Sequence, residues 1–471
     1  MKNIIRSLLI ILIVVMAATF KTVSINEYDL NFLGLWKVEE VSENQYISNS
    51  SIIYDNQVIK LDKKKAIIFD SIMDNVKYKL KVVDKNYVLS YENDLYISDF
   101  YNGDEKEIDI ISVIYQDRII AEFFITSMNE MILNYKSEIY LLGRISNQDN
   151  QYTEEFLEGM ARKNHNGEVL DEGVMIGLKT PRKKDEEGNY SNEYYRTIWI
   201  PYENQKIGDI YEKENIIFPR LNGIWQMKMM DTNEAEMHYN QIIIEQLNGK
   251  NETNIKTNVK VDEYASITFI GNDYIGIEAY YGKNFNNEYD SYKIVPVDNV
   301  NSEEGLQISD ILGEKYKARY KEEYDKSIKN AVKDQGNKKV NDIYYGNITL
   351  KRSVGIWVLA AKAAQGEEDI IFSLPMDNKL INFNALYVPW KSLKGDLVFF
   401  KDALTSPEAQ IAIVQFRNNL SIYKIEKGMV IGSPISTIPI EDDEEIIMAE
   451  WCSSSYVKEW GKYFVNGNEI Q

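Results

Sequence analysis

Only two histidines, His165 and His238, and one cysteine, Cys452, occur among the 471 residues. Zinc centres need such ligands at short, fixed spacings, as in His-Glu-x-x-His, and these two histidines lie far apart in polar stretches. Both read as surface side chains, and neither a metal site nor a cofactor is expected. Cys452, between Trp451 and Ser453, has no neighbouring base to activate its thiol. It reads as a buried structural residue, and a lone cysteine forms no intramolecular disulfide. Ser433 follows Gly432 but precedes Pro434, no Gly-x-Ser-x-Gly elbow occurs, and glycine-rich phosphate loops are missing. Carboxylates remain, and a glycosidase needs only two of them on facing elements, which spacing along the chain does not reveal. The densest run, Glu441-Asp442-Asp443-Glu444-Glu445, lacks the Asp-x-Asp-x-Asp-Gly pattern of a calcium loop and reads as a solvated loop. No catalytic or binding residue is assigned. Trp390, Tyr280 and Tyr281 are the aromatics expected to be exposed.

The elements that would position these groups are mainly strands. Short alternating runs bounded by Asn, Asp and Gly recur from about residue 30 onward. Three runs open on Gly-x-Trp: Gly34-Leu35-Trp36, Gly223-Ile224-Trp225 and Gly355-Ile356-Trp357. The last two also share an arginine, Arg220 and Arg352, before the glycine, and the first lacks it. These tryptophans are expected in the core, because apolar residues surround them at strand starts. Hairpins read around Asp84-Lys85-Asn86, Gln116-Asp117, Gly271-Asn272-Asp273 and Arg417-Asn418-Asn419 give a series of marker residues. The series is Trp36, Tyr87, Ile120, Val174, Trp225, Tyr274, Trp357 and Ile411, mostly about 50 residues apart, within reach of the period of propeller blades. Two helices interrupt it. One is expected at 153–163, with Thr153 as N-cap; the other at 314–333, where Tyr316, Tyr320, Tyr324, Ile328 and Val332 make an apolar stripe at i+4 spacing.

Lys2 and Arg6 precede an uncharged stretch from Ser7 to Phe20, a pattern that fits a secretory signal or an N-terminal anchor over residues 1–24. The remaining 25–471 is expected to be one β-propeller-like domain carrying the helical insertions. An extracytoplasmic place follows, either secreted or anchored at the outer face of the cytoplasmic membrane. The formal charge of −20 opposes binding to nucleic acid, and it limits membrane contact to an uncleaved N-terminal segment.

Thr405-Ser406-Pro407-Glu408-Ala409-Gln410-Ile411-Ala412-Ile413-Val414 and Asn419-Leu420-Ser421-Ile422-Tyr423-Lys424-Ile425 resemble the Ser-Pro turn and Leu-x-Ile-Tyr strands of β-propeller blades. The resemblance implies an all-β architecture of about seven or eight blades, without the Trp-Asp signature of one propeller class. A tandem of lipocalin-like β-barrels, whose first strand also carries Gly-x-Trp, is the alternative. The overall character is similar to exported, lipoprotein-like proteins of the envelope of low-GC Gram-positive bacteria. The export signal, the repeated architecture and the absence of catalytic motifs lead to the expectation of a noncatalytic binding or assembly protein with an envelope protein or glycan as partner; the acidic, Tyr-rich composition leaves as the alternative a propeller-type hydrolase or lyase acting on an extracellular polysaccharide.

Overall fold

The computed structural model describes residues 32–41, 57–84, 106–135, 138–145, 152–165, 170–183, 186, 191–234, 237–247, 254–257, 263–281, 291–332, 345–362, 369–372, 374, 380–384, 386–426, 428–465 and 468–469. The fold is all-β. Residues 1–24 and the hairpin marker Tyr87 lie outside the described residues.

The first nine strands form one sheet. They are β1 (Gly34–Val41), β2 (Val58–Leu61), β3 (Lys65–Ile68), β4 (Ser71–Asp74), β5 (Lys77–Asp84), β6 (Glu107–Tyr115), β7 (Arg118–Ile125), β8 (Glu130–Tyr135) and β9 (Glu138–Ile145). Their order is β4-β3-β2-β1-β9-β8-β7-β6-β5, so β9 returns to β1 and the sheet curls into a half-barrel. Gln116 and Asp117 both take positive φ (51° and 61°), the two-residue turn whose twist matches the strands it joins. Trp36, Phe123, Leu133 and Tyr140 fill the half-barrel's main core. Helix α1 (Glu154–His165) packs Leu157 and Ala161 on Leu35 and Ile67, and Thr153 caps it, its hydroxyl accepting from Phe156 N–H.

Five smaller antiparallel sheets follow. The first holds β10 (Glu172–Thr180), β11 (Tyr194–Glu203), β12 (Lys206–Ile207) and β13 (Tyr211–Glu214). The second holds β14 (Ile216–Arg220), β15 (Gly223–Glu234), β16 (Met237–Gln246) and β17 (Asn254–Lys256). The third is β18 (Glu263–Ile270), β19 (Tyr274–Tyr281) and β20 (Ser291–Pro296); the fourth is β21 (Ile348–Ser353), β22 (Ile356–Lys362) and β23 (Asp369–Ile371). The fifth is β24 (Asp402–Thr405), β25 (Ile411–Gln415), β26 (Asn419–Glu426) and β27 (Met429–Pro439). The chain then returns. β28 (Glu445–Ser453) pairs with β10 from Glu172↔Ser453 to Lys179↔Glu445, and β29 (Asn468–Glu469) pairs with β13 at the far edge.

Shared cores close these sheets into a ring. One cluster joins the first three, a second the third and fourth, a third the fourth and fifth, and a fourth the fifth back to the first. Strands β18, β21 and β28 touch one another at its centre. The five markers Val174, Trp225, Tyr274, Trp357 and Ile411 fall one per sheet, each on the strand next to one edge of its sheet. Trp36 and Ile120, by contrast, share the half-barrel sheet, so the series of eight does not map onto eight separate units.

Between β20 and β21 lie α2 (Ile308–Leu312) and α3 (Lys317–Val332), the second preceded by a turn of 3₁₀ helix from Glu314. Tyr320 and Tyr324 bury the expected stripe against Phe372 and Tyr345, which confirms its start; the side chains of Ile328 and Val332 lie outside the described residues. Helix α4 (Trp390–Asp396) joins the ring to the half-barrel: Ser392 donates to Ile119 C=O, and Arg118 pairs with Asp396 at 3.0 Å. Met429, at the start of β27, sits 3% exposed within the half-barrel's core. Met429→Asp is therefore expected to lower the thermal midpoint by placing a carboxylate among apolar groups, whereas the near-isovolumetric Met429→Leu costs less than about 1.5 kcal/mol in urea unfolding.

Candidate functional site

The three Gly-x-Trp sites carry the same contact. Each tryptophan is at most 2% exposed, as expected for core residues. Arg220 lies over Trp225 at 5.0 Å and Arg352 over Trp357 at 5.2 Å, and Arg144 lies over Trp36 at 4.2 Å. The first site thus has its arginine after all, supplied by β9, where Arg144 stands opposite Trp36 across the strand pair. Sequence spacing missed it because the partner is more than 100 positions away. A guanidinium over an indole face is held by the ring quadrupole while its N–H groups stay free for acceptors. Arg220 uses them on Asp298 (2.8 Å) and Asp273 (3.2 Å), reaching the third sheet. Arg352 makes a two-bond fork with Asp402 (2.7 and 3.1 Å) and donates to Ala403 C=O, reaching the fifth. These arginines bolt one sheet to another. Gly355 takes φ +88° at the turn, where an added Cβ would lie 2.5 Å from Leu386, so the glycine is required there.

Glu450, on β28 at the centre of the ring, is only 4% exposed. Asn382 Nδ2 donates to its Oε2 at 3.1 Å, and the Asn272 amide lies within hydrogen-bond distance of both its carboxyl oxygens and of the Asn382 amide. Burial, reinforced by the nearby Asp273 carboxylate and opposed by the Asn382 bond, pushes its pKa up to about 8. On the opposite face of β28, Trp357, Phe383, Asn384, Thr405, Ala449 and Trp451 line a cavity of about 10 Å³, room for about one water. This centre is the candidate site, and no motif in the sequence marks it. The only signal was indirect: Asn272 and Asp273 occupy the β18–β19 turn, where the repeat register puts a loop at the ring's end.

Cys452 is buried, as expected, and burial drives its thiol well above the ordinary range, which removes it as a nucleophile. The side chains of His165, His238 and Tyr281 lie outside the described residues. Among the described residues no group of three or more His, Cys, Asp or Glu side chains is placed to hold a metal ion, and no helix is long and apolar enough to cross a membrane. Three expectations need correction. Trp390 is half-buried, because Phe400 packs edge-on against it at 4.6 Å. Tyr280 is half-buried beneath Arg182, whose guanidinium carbon stands 4.3 Å from its ring.

The acidic run is not simply solvated. Glu444 is 3% exposed and accepts two bonds from Arg196 (2.8 and 2.7 Å). Glu445 pairs with Lys179, Asp443 with Lys183, and Asp442 with Arg417. The run ties the start of β28 to β10 and β11 of its own sheet and, through Arg417, to the β25–β26 turn of the fifth.

A second polar cluster lies near that start. The Ser266 hydroxyl donates to Glu193 at 2.7 Å, Lys179 Nζ reaches Ser266 at 3.4 Å, and Lys362 pairs with Glu278. Glu445 keeps Lys179 protonated against its burial, so this lysine is no base for Ser266. The chain matches no protein-family model and no curated protein.

Removing one partner of a buried pair leaves the other charge uncompensated. Arg352→Met is thus expected to cost on the order of 3–5 kcal/mol in urea unfolding by stranding Asp402. Arg352→Met with Asp402→Leu should recover most of that loss.

Proposed function

We propose that the protein is a noncatalytic binding or assembly protein of the bacterial cell envelope, acting outside the cytoplasm, with an envelope protein or glycan as its partner. The observation that carries this reading is how the interior polar groups are used. Asp402, Glu278 and Glu444 are tied to Arg352, Lys362 and Arg196, and Glu450 is closed in by two asparagines. A polysaccharide hydrolase or lyase needs two carboxyl groups facing bound substrate with aromatic platforms beside them. Glu450 is sealed instead, and Asp273 is engaged by Arg220.

The rim offers contact chemistry rather than bond-breaking chemistry. Leu221 is fully exposed and Val354 is exposed, each on the hairpin tip between the stacking arginine and the glycine of its Gly-x-Trp site. Ring architectures hold such tips on a rigid frame, which suits recognition of a partner. The export signal read at residues 1–24 supports the extracytoplasmic place.

A pull-down with the mature protein from solubilised envelope fractions, paired with a glycan array, tests this reading. A defined envelope protein or glycan is expected to be retained and to be lost with Leu221→Ser plus Val354→Ser. Release of reducing or unsaturated sugar ends from envelope polysaccharide, abolished by Glu450→Gln, would overturn it.

A further inference from the structure

Six carboxylates are buried among the described residues: Glu122, Glu172, Glu278, Asp402, Glu444 and Glu450. Four have a cation within ion-pair distance, namely Lys81, Lys362, Arg352 and Arg196 in that order apart from Glu172 and Glu450. Among the described residues those two have none, and both lie where the ring closes. Glu172 stands on β10 opposite Ser453; Glu450 stands on β28 opposite Met175.

Every described element packed on these two groups presents neutral or acidic chemistry. Glu172 accepts from Glu408 N–H and Gln410 Nε2, both at 2.8 Å, and from the Ser406 hydroxyl, all in the β24–β25 turn. Cys452 of β28 and Tyr202 of β11 lie in its field, and beyond Tyr202 stand Lys424 and Glu426, which pair with each other. Glu450 faces Asn272 and Asp273 of the β18–β19 turn and Asn382. Arg220, which pairs with Asp273 of that turn, is divided between it and Asp298.

We propose that this closure is a proton-operated latch, in which protonated Glu172 and Glu450 keep β28 seated between β10 and the central strands, and their ionisation releases it. A buried carboxylate without a cation is costly, whereas the neutral acid is tolerated. Burial accordingly moves Glu172 to about 7 and Glu450 to about 8, from an ordinary 4.5. Both folded values exceed the unfolded one, so the closed state binds more protons than the open state. The stability they contribute is full below pH 4.5 and is lost as pH rises to about 7 for Glu172 and about 8 for Glu450.

Cys452 supplies the readout. It is the single cysteine, 8% exposed, opposite Gly173 on β10. Its labelling rate by a pyridyl disulfide, divided by the rate for the urea-unfolded chain at the same pH, reports opening of this strand pair. Between about pH 6 and about pH 9, ionisation at Glu172 should weaken protection about 10-fold and that at Glu450 about 100-fold. Glu450→Gln should remove the larger part of this fall and Glu172→Gln the smaller, each leaving the other's share; if one variant fails to fold, the remaining one carries the test. Unchanged protection in the wild type, or the wild-type profile in either folded variant, overturns the latch.

Discussion

The rest of the ring depends on the antiparallel pairing of β10 with β28. It joins the strand that opens the ring to the last long strand of the chain, and without it the five small sheets would form an open arc with two exposed edges. An open arc exposes unpaired backbone groups and one face of each terminal sheet. Pairing from Glu172 to Lys179 satisfies those groups and lets Val174 and Ile176 share a core with Ile411 and Ile422 of the fifth sheet. Closure is long-range, since its partners lie more than 250 residues apart, so its cost in chain entropy is met only once the intervening sheets have formed.

Charge placement follows from that closure. The start of β28 is fastened by Glu444 to Arg196 and by Glu445 to Lys179, while its other end meets Glu172 and Glu450, which have no cation at ion-pair distance among the described residues. One end is therefore held by salt bridges and the other by hydrogen bonds to carboxyls that favour their protons. The Arg-over-Trp contacts do a related task between adjacent sheets. Arg220 and Arg352 each cover an indole and spend their N–H groups on a carboxylate of a neighbouring sheet, which ties the two sheets together.

Much of this was legible along the chain, and what was not has a physical reason. Strand type, turn residues and the positions of both helices follow from local preferences, which is why Thr153 and Gln116-Asp117 do what their types suggest. The register of five markers survives intact, because each ring sheet repeats one edge strand and the strand next to it. It failed for Trp36 and Ile120, since a curled sheet built of hairpins has the same local signals as separate blades; only the pairing of β9 with β1 tells them apart. The described strands thus form two kinds of assembly, a curled nine-strand sheet that opens on Gly-x-Trp and a ring of five small sheets. The central site was illegible for the same reason. Glu450, Asn272 and Asn382 are ordinary residues until three strands bring them together, and the acidic run looked solvated because its cations come from four other segments.

Native-state hydrogen exchange near pH 6, followed as denaturant is raised, tests the closed ring most directly. If β28 closes it, the amides of β10, β18, β21 and β28 should merge into one opening with the same free energy and the same dependence on denaturant. Exchange of β28 at low denaturant, while β10, β18 and β21 keep their protection, would contradict the account.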